Sequence, residues 1–113
     1  MEHTDDGRYV ILNGRRWRAT DPELPAGVAA ALRRQLMAAR RAVGAALRAH
    51  DSAAERQARA SVQRAKTALG ERGTPWWEQS AAERRARWES GLDDPLPELA
   101  GRADATTEDE ENS

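Results

Sequence analysis

The sequence predicts an α+β fold that is mainly α, with an N-terminal β-hairpin, an antiparallel Ala-rich helical hairpin, a short third helix and a disordered acidic tail. Three observations support this prediction. Of the 113 residues, 23 are alanine, the strongest helix former. Leu, Ile, Val and Phe supply only 14 side chains, so the core is thin. The dipeptide Asn13-Gly14 lies between short apolar segments and is a strong local signal for a β-hairpin.

The β-hairpin is predicted over residues 8–20. A two-residue turn at Asn13-Gly14 pairs Leu12 with Arg15 and Val10 with Trp17. Because paired residues share a face of the sheet, one face carries the apolar side chains Val10, Leu12, Trp17 and Ala19. We expect this face to pack on a helix and Trp17 to be mostly buried, since an isolated hairpin is only marginally stable.

Helix 1 is predicted over residues 25–49, where apolar residues recur with helical spacing. Helix 2 is predicted over residues 52–69, with Ser52 and Glu55 as a capping box and Gly70 as the residue that ends it. The short connection between the two helices predicts an antiparallel pair.

Helix 3 is predicted over residues 80–90, where Ser80 and Glu83 form a second capping box. Between helices 2 and 3, Gly73-Thr74-Pro75 predicts a turn, and Trp76-Trp77 follows in a segment expected to be extended. In an extended segment, adjacent side chains point to opposite sides, so one of the two indoles is expected to pack and the other to remain exposed.

Charge is segregated along the chain and divides it into three parts. Residues 1–7 carry −3 and are predicted to be a disordered N-terminus. Residues 8–92 carry +9 and form a single small domain. Residues 93–113 carry −7 and are predicted to be an acidic linker and disordered tail.

No pattern of residues indicates an enzyme, a metal site or a cofactor. The chain has no cysteine, and its two histidines, His3 and His50, are far apart and lack metal-ligand spacing. Asp21 and Glu23 are interpreted as a cap at the start of helix 1. No apolar segment is long enough to span a membrane, and the acidic N-terminus does not look like a signal peptide. We therefore expect a cytoplasmic protein without membrane insertion.

Arginine and tryptophan residues are the candidates for partner binding. Residues 24–50 contain no acid, and five arginines fall on one broad face of helix 1. The hairpin adds two more, and the Trp pair adds an aromatic anchor. The predicted partner-binding residues are Arg33, Arg34, Arg40, Arg41, Arg48, Arg16, Arg18, Trp76 and Trp77.

Four segments, namely residues 7–10, 13–22, 37–43 and 68–78, are distinctive as a set. They contain Asn13-Gly14-Arg15-Arg16-Trp17 and Gly73-Thr74-Pro75-Trp76-Trp77. Together they resemble a group of small uncharacterised proteins from high-GC Gram-positive bacteria that are sometimes labelled "biopolymer transporter Tol". The resemblance covers roughly residues 7–78 and implies a recurring module. It brings no catalytic residues.

These observations favour a non-enzymatic binding module. The first hypothesis is protein–protein interaction through the basic helix face and the loop that carries Trp76 and Trp77, which we call the Trp loop. The partner would be an unknown protein or a second copy in a homodimer. The alternative is a nucleic-acid-binding accessory protein whose acidic tail competes for the basic face.

Overall fold

The computed structural model describes residues 2–93. The elements in chain order are the strands β1 (Glu2–His3), β2 (Tyr9–Leu12) and β3 (Arg15–Arg18), the helices α1 (Ala26–Arg48) and α2 (Ser52–Ala68), a single 3₁₀ turn (Trp76–Glu78) and the helix α3 (Ala81–Gly91). The predicted α+β, mainly helical fold is confirmed. Of the acidic linker and disordered tail predicted over residues 93–113, residues 94–113 lie outside the described residues.

The β-hairpin forms with the predicted register. Val10 pairs with Trp17 and Leu12 with Arg15, around a turn in which Asn13 and Gly14 have φ values of 52° and 76°. Both turn residues thus adopt the left-handed conformation that a two-residue hairpin turn requires, which asparagine and glycine tolerate best.

A third strand, β1, lies on the other side of β2, where we expected a disordered N-terminus. Glu2 pairs with Ile11, and the turn that follows is closed by a hydrogen bond from the Thr4 N–H to the Tyr9 carbonyl. Asp6 stabilises this turn by accepting from the Thr4 hydroxyl and the Arg8 N–H. The Thr4 hydrogen bond, followed by the one from the Arg8 backbone, lowers the pKa of Asp6. These local bonds order a polar segment that composition alone assigns to disorder.

The helices α1 and α2 pack side by side along their length, and α3 packs on α2. Leucines and a valine of α1, small residues of α2 and Trp88 of α3 belong to one buried cluster. The buried core is formed by Leu24, Val28, Ala29, Leu32, Leu36, Ala65, Ala68, Leu69 and Trp88. Alanines on α2 let α1 approach closely, so a few large side chains are sufficient to fill the core.

The predicted ends of the helices are correct to within one residue, but one cap differs. Asp51, and not Ser52, caps α2 by accepting from the Ala54 N–H. At the other end, the N–H of Gly70 bonds to the Thr67 carbonyl and the helix reverses with Gly70 at φ 85°. This is the glycine-terminated end that the sequence predicts.

The third helix begins with the predicted capping box. The Ser80 hydroxyl accepts from the Glu83 N–H, and the Glu83 carboxylate accepts from the Ser80 N–H. Gly91 is the last residue of α3, and a methyl group at this position would collide with the Ala68 side chain. A glycine is therefore needed where α3 crosses closest to α2.

A buried ionic cluster around Asp21 joins the loop before α1 to the rest of the domain. The Asp21 side chain is 1% exposed, and its carboxylate accepts from Arg87 at 2.6 Å and from Arg84 at 3.4 Å. Arg84 also donates to the Trp76 carbonyl, and Arg87 donates to the Ala68 carbonyl. The interpretation of Asp21 as a cap of helix 1 is wrong, because α1 begins after Pro25 without a side-chain cap.

Candidate partner-binding groove

A groove lies between the apolar face of the sheet and the helices α1 and α2, and we call it the sheet–helix groove. Its volume is about 750 Å³. Val10, Leu12 and Trp17 line one wall. The opposite wall includes Ala29 together with three cationic side chains, Arg33, Arg40 and Lys66. The groove thus combines an apolar strand face with a basic helical face.

Trp17 is 39% exposed and Leu12 is 47% exposed, so the expected burial of Trp17 against a helix is wrong. Within the described residues, no close packing joins the sheet to a helix comparable to that between the helices themselves. The sheet is instead attached at one end. There the Asp21 N–H bonds to the Leu69 carbonyl and the Trp76 indole N–H bonds to the Ala19 carbonyl. This attachment leaves the apolar strand face lining an open groove instead of packing on a helix.

Two cationic side chains lie near the Trp17 indole. The Arg15 guanidinium carbon is 4.4 Å from the ring centre, and Lys66 Nζ is 6.0 Å from it. Both distances fall within the range in which a cation is attracted to an indole face. The exposed indole and the charges beside it can therefore contact one ligand at the same time.

The predicted arginine face of helix 1 divides into two rows. Arg33 and Arg40 line the sheet–helix groove, whereas the groove does not include Arg34, Arg41 or Arg48. Helical geometry explains this division, because Arg34, Arg41 and Arg48 lie roughly 60–120° further around α1 than Arg33 and Arg40. All five are exposed, and none forms an ion pair with an acid within residues 2–93.

Lys66 is the only lysine in the chain, and its pKa lies below the usual value of 10.5. Partial burial in the groove is the largest cause, and the positive charge of Arg72 adds to it. Glu71, which also lines the groove, acts in the opposite direction, and its carboxylate accepts a hydrogen bond from the Thr20 hydroxyl at 2.7 Å. A ligand carboxylate near Lys66 would act in the same direction as Glu71 and favour the charged amine.

Trp76 and Trp77, of which one was expected to pack and the other to remain exposed, lie outside the groove. Trp76 is buried in the domain, so it is not available to a partner. The expected extended segment is instead a 3₁₀ turn that begins at Trp76. Trp77 is half-buried on the other side of the sheet, with its ring centre 5.7 Å from that of Tyr9. The guanidinium of Arg8 stacks on Trp77 at 4.7 Å.

Arg16 and Arg18 alternate with Trp17 along β3, and of the two only Arg18 is among the residues that line the groove. The Arg16 guanidinium stacks over Tyr9 at 4.2 Å and remains exposed. Arg18 donates to the Gly73 carbonyl at 2.7 Å, and so it also fixes the position of the Trp loop. Both residues belong to β3, whose outer edge has no neighbouring strand within the described sheet.

Sequence reasoning did not select Leu12, Trp17 or Lys66 as binding residues. The alternation of apolar and polar residues identifies the apolar face of the hairpin, but the same pattern predicts that this face is packed and not exposed. The one signal for Lys66 is that a single lysine stands among 17 arginines.

Within residues 2–93, no cluster of three or more histidine, aspartate or glutamate residues is arranged to hold a metal ion. Over the same residues, none of the helices has both the length and the apolar character that crossing a membrane requires. Comparison of the chain with protein-family models, curated proteins and solved structures finds no match.

Proposed function

We propose that this protein is a protein-interaction module whose sheet–helix groove binds an acidic, partly apolar segment of a partner protein. The observation that carries the proposal is the position of Trp17, which is 39% exposed beside Lys66 and Arg15. Exposing an indole and a leucine in a small domain costs free energy, and binding a partner recovers it. Tryptophan next to arginine is also a frequent combination at the energetic centre of protein interfaces.

The two walls of the groove specify the chemistry of the partner. Leu12 and Trp17 favour aliphatic or aromatic side chains, because covering them removes apolar surface from water. Arg33, Arg40 and Lys66 favour carboxylates, which accept charge-assisted hydrogen bonds. A peptide in which acidic and apolar residues alternate satisfies both walls.

Nucleic acid is the second candidate, and the outer row of Arg34, Arg41 and Arg48 is the observation that favours it. These side chains are exposed along one side of α1, as expected of a surface that follows phosphates. The apolar strand face opposite Arg33 and Arg40 has no role in that model. The two candidates therefore depend on different rows of arginines.

The test is a binding measurement with two matched double variants. A fluorescein-labelled hexapeptide of alternating glutamate and valine serves as the protein-like probe, and a single-stranded oligonucleotide serves as the nucleic-acid probe. Arg33→Gln with Arg40→Gln removes the groove row, and Arg34→Gln with Arg41→Gln removes the same charge from the outer row. Glutamine preserves helix propensity, so both variants should fold.

We expect the groove pair to weaken hexapeptide binding about tenfold, since two partly exposed ion pairs contribute about 0.7 kcal/mol each. The outer-row variant, Arg34→Gln with Arg41→Gln, should change the affinity for the hexapeptide less than about twofold, since its charges act only at long range. Failure of the hexapeptide to bind, or equal losses from both variants, would contradict the proposal. Tighter binding of the oligonucleotide, with the larger loss in the outer pair, would establish nucleic acid instead.

We also propose that the protein forms a homodimer and acts in the cytoplasm. The thin core supports self-association, because a second copy would cover apolar surface. Sedimentation equilibrium over micromolar to millimolar concentration tests the dimer. A single monomeric mass throughout that range would remove it.

A further inference from the structure

We infer that the partner segment extends beyond the sheet–helix groove into a second site between α1 and α2, where Val43 and Val62 receive an apolar side chain two positions along from the carboxylate bound by Arg40 and Lys66. We call this second site the interhelical depression. The inference rests on the proposed function, and it specifies the length and the sequence pattern of the ligand.

The interhelical depression adjoins the groove, because Arg40 and Lys66 line both. Its volume is about 340 Å³, and its remaining lining consists of Val43, Arg59, Val62 and Gln63. Both valines are half-buried, so part of each side chain is open to a ligand. Within residues 2–93, no acidic side chain lines the depression. It therefore offers apolar surface flanked by positive charge, as the groove does.

The two sites follow one another along the helical pair. Only residues 49–51 separate α1 from α2, so the helices run antiparallel, and moving towards the end of α1 means moving towards the start of α2. At a rise of about 1.5 Å per residue, Val43 lies about 4.5 Å beyond Arg40, and Val62 lies about 6 Å beyond Lys66. Both valines therefore lie on the side of the Arg40–Lys66 pair that is further from Ala29 in the groove.

This spacing determines the sequence pattern of an extended ligand. In the groove, an alternating segment directs its apolar side chains to the strand wall and its carboxylates to the helical wall. The interhelical depression is lined by helical residues alone, so the next apolar side chain must lie on the same side of the ligand as the carboxylates. Residues two positions apart in an extended chain share a side and are about 6.6 Å apart, which matches the step from Arg40 and Lys66 to the valines.

Charge supports a carboxylate at the junction of the two sites. Burial is the largest cause of the lowered pKa of Lys66, and the positive charges of Arg72 and Arg40 add to it. A carboxylate bound between Arg40 and Lys66 relieves this repulsion. At the far side of the depression, Arg59 is held at 2.8 Å by Glu55 of its own helix, so its position is fixed without a ligand.

A second copy of this chain fits the depression poorly. Two copies placed face to face would bring Arg40, Arg59 and Lys66 of one chain against the same three cations of the other. Like charges brought together in this way oppose association. An acidic and apolar segment of a partner meets the same surface with opposite charge, and so we assign the depression to that segment.

The test uses two decapeptides of identical composition on the unaltered full-length chain. Each contains the alternating glutamate–valine hexapeptide with one serine and one valine added at both ends, so either direction of binding is covered. In the first isomer, each added valine is two positions from a glutamate and lies on the glutamate side. In the second isomer, each added valine is two positions from a valine and lies on the valine side. We expect the first isomer to bind at least about fivefold more tightly than the second.

A matched pair of protein variants places this preference in the depression. Val43→Gln puts a polar side chain into it, whereas Met37→Gln makes the same kind of change at a side chain of α1 that is 42% exposed and lines neither site. We expect the preference for the first isomer to fall below about twofold in Val43→Gln and to remain in Met37→Gln. Val62→Thr, which keeps the shape of the side chain, makes the same test from α2 if Val43→Gln does not fold.

The outcomes separate the inference from the proposed function. Equal affinities of the two isomers, or a preference that Val43→Gln leaves unchanged, would overturn the interhelical depression as a binding site. If Arg33→Gln with Arg40→Gln still weakens hexapeptide binding in that case, the sheet–helix groove would stand without the depression. Absence of hexapeptide binding to the unaltered chain would overturn both.

Discussion

Lys66 Nζ lies 6.0 Å from the centre of the Trp17 ring, so the only lysine of the chain reaches from α2 towards β3 across the sheet–helix groove. The indole is 39% exposed and the amine is partly buried. Each side chain thus completes a mixed surface for a ligand with both apolar and acidic groups.

The first prediction separates the binding tryptophan from the core tryptophan. Trp17→Ala should lower the free energy of unfolding by only about 1 kcal/mol, because the indole is already substantially hydrated in the folded state. Trp76→Ala should cost about 3–5 kcal/mol, because it empties a buried site and removes the hydrogen bond to the Ala19 carbonyl. Urea unfolding of both variants measures the difference. A cost for Trp17→Ala equal to that for Trp76→Ala would show that the sheet packs closely in solution.

The second prediction concerns the buried cluster at Asp21. Asp21→Ala leaves the nearly buried guanidinium of Arg87 without its carboxylate partner, so the free energy of unfolding should fall by about 3–5 kcal/mol. Glu23→Gln is the control. The Glu23 side chain is 68% exposed although it also contacts Arg84, so the loss should stay below about 1 kcal/mol. Similar melting temperatures for the two variants would refute a structural role for the cluster.

Local sequence signals predicted the elements well where short-range geometry decides the outcome. Asn13-Gly14 fixes a two-residue turn, and the turn fixes the register of Val10 with Trp17. The capping box of Ser80 with Glu83 likewise depends on residues three positions apart. These features require no knowledge of the rest of the chain.

The features that the sequence did not predict have a common physical origin, because each depends on contacts between distant parts of the chain. Asp21 is buried because Arg84 and Arg87 approach it from α3, more than 60 positions away. Trp17 is exposed because the sheet is attached at only one end. For the candidate site, the sequence identified the arginines of α1 but gave no basis for separating Arg33 and Arg40 from the outer row.

The third prediction is a pH dependence of binding. Partial burial holds the pKa of Lys66 below its usual value in the free protein, and a bound carboxylate should raise it. The complex then retains a proton that the free protein has released at alkaline pH. Affinity for the hexapeptide should therefore fall as the pH rises through the lowered pKa of Lys66. NMR titration of the Lys66 side chain, with and without peptide, measures both pKa values, and an unchanged pKa on binding would exclude contact with Lys66.

The fourth prediction concerns the acidic residues after Asp93. Residues 94–113 carry −6 and are covalently linked to a domain of the opposite charge, so they should compete with the acidic probe. Replacing Glu108, Asp109, Glu110 and Glu111 by their amides should strengthen hexapeptide binding by about twofold to fivefold at low salt. The gain should shrink towards physiological ionic strength, where the Debye length is about 8 Å. The same replacements combined with Arg33→Gln and Arg40→Gln should give a smaller gain, and an equal gain would show that the competition occurs elsewhere.

The most direct test of the sheet–helix groove as a peptide-binding site is the acetylation rate of Lys66, measured by mass spectrometry with and without saturating hexapeptide. Because the chain has one lysine, the modified side chain is assigned without ambiguity. A matched peptide with glutamine in place of glutamate is the control. We predict that the glutamate peptide slows acetylation of Lys66 at least about fivefold and that the glutamine peptide does not. Binding of the glutamate peptide with no change in the acetylation rate of Lys66 would contradict the account.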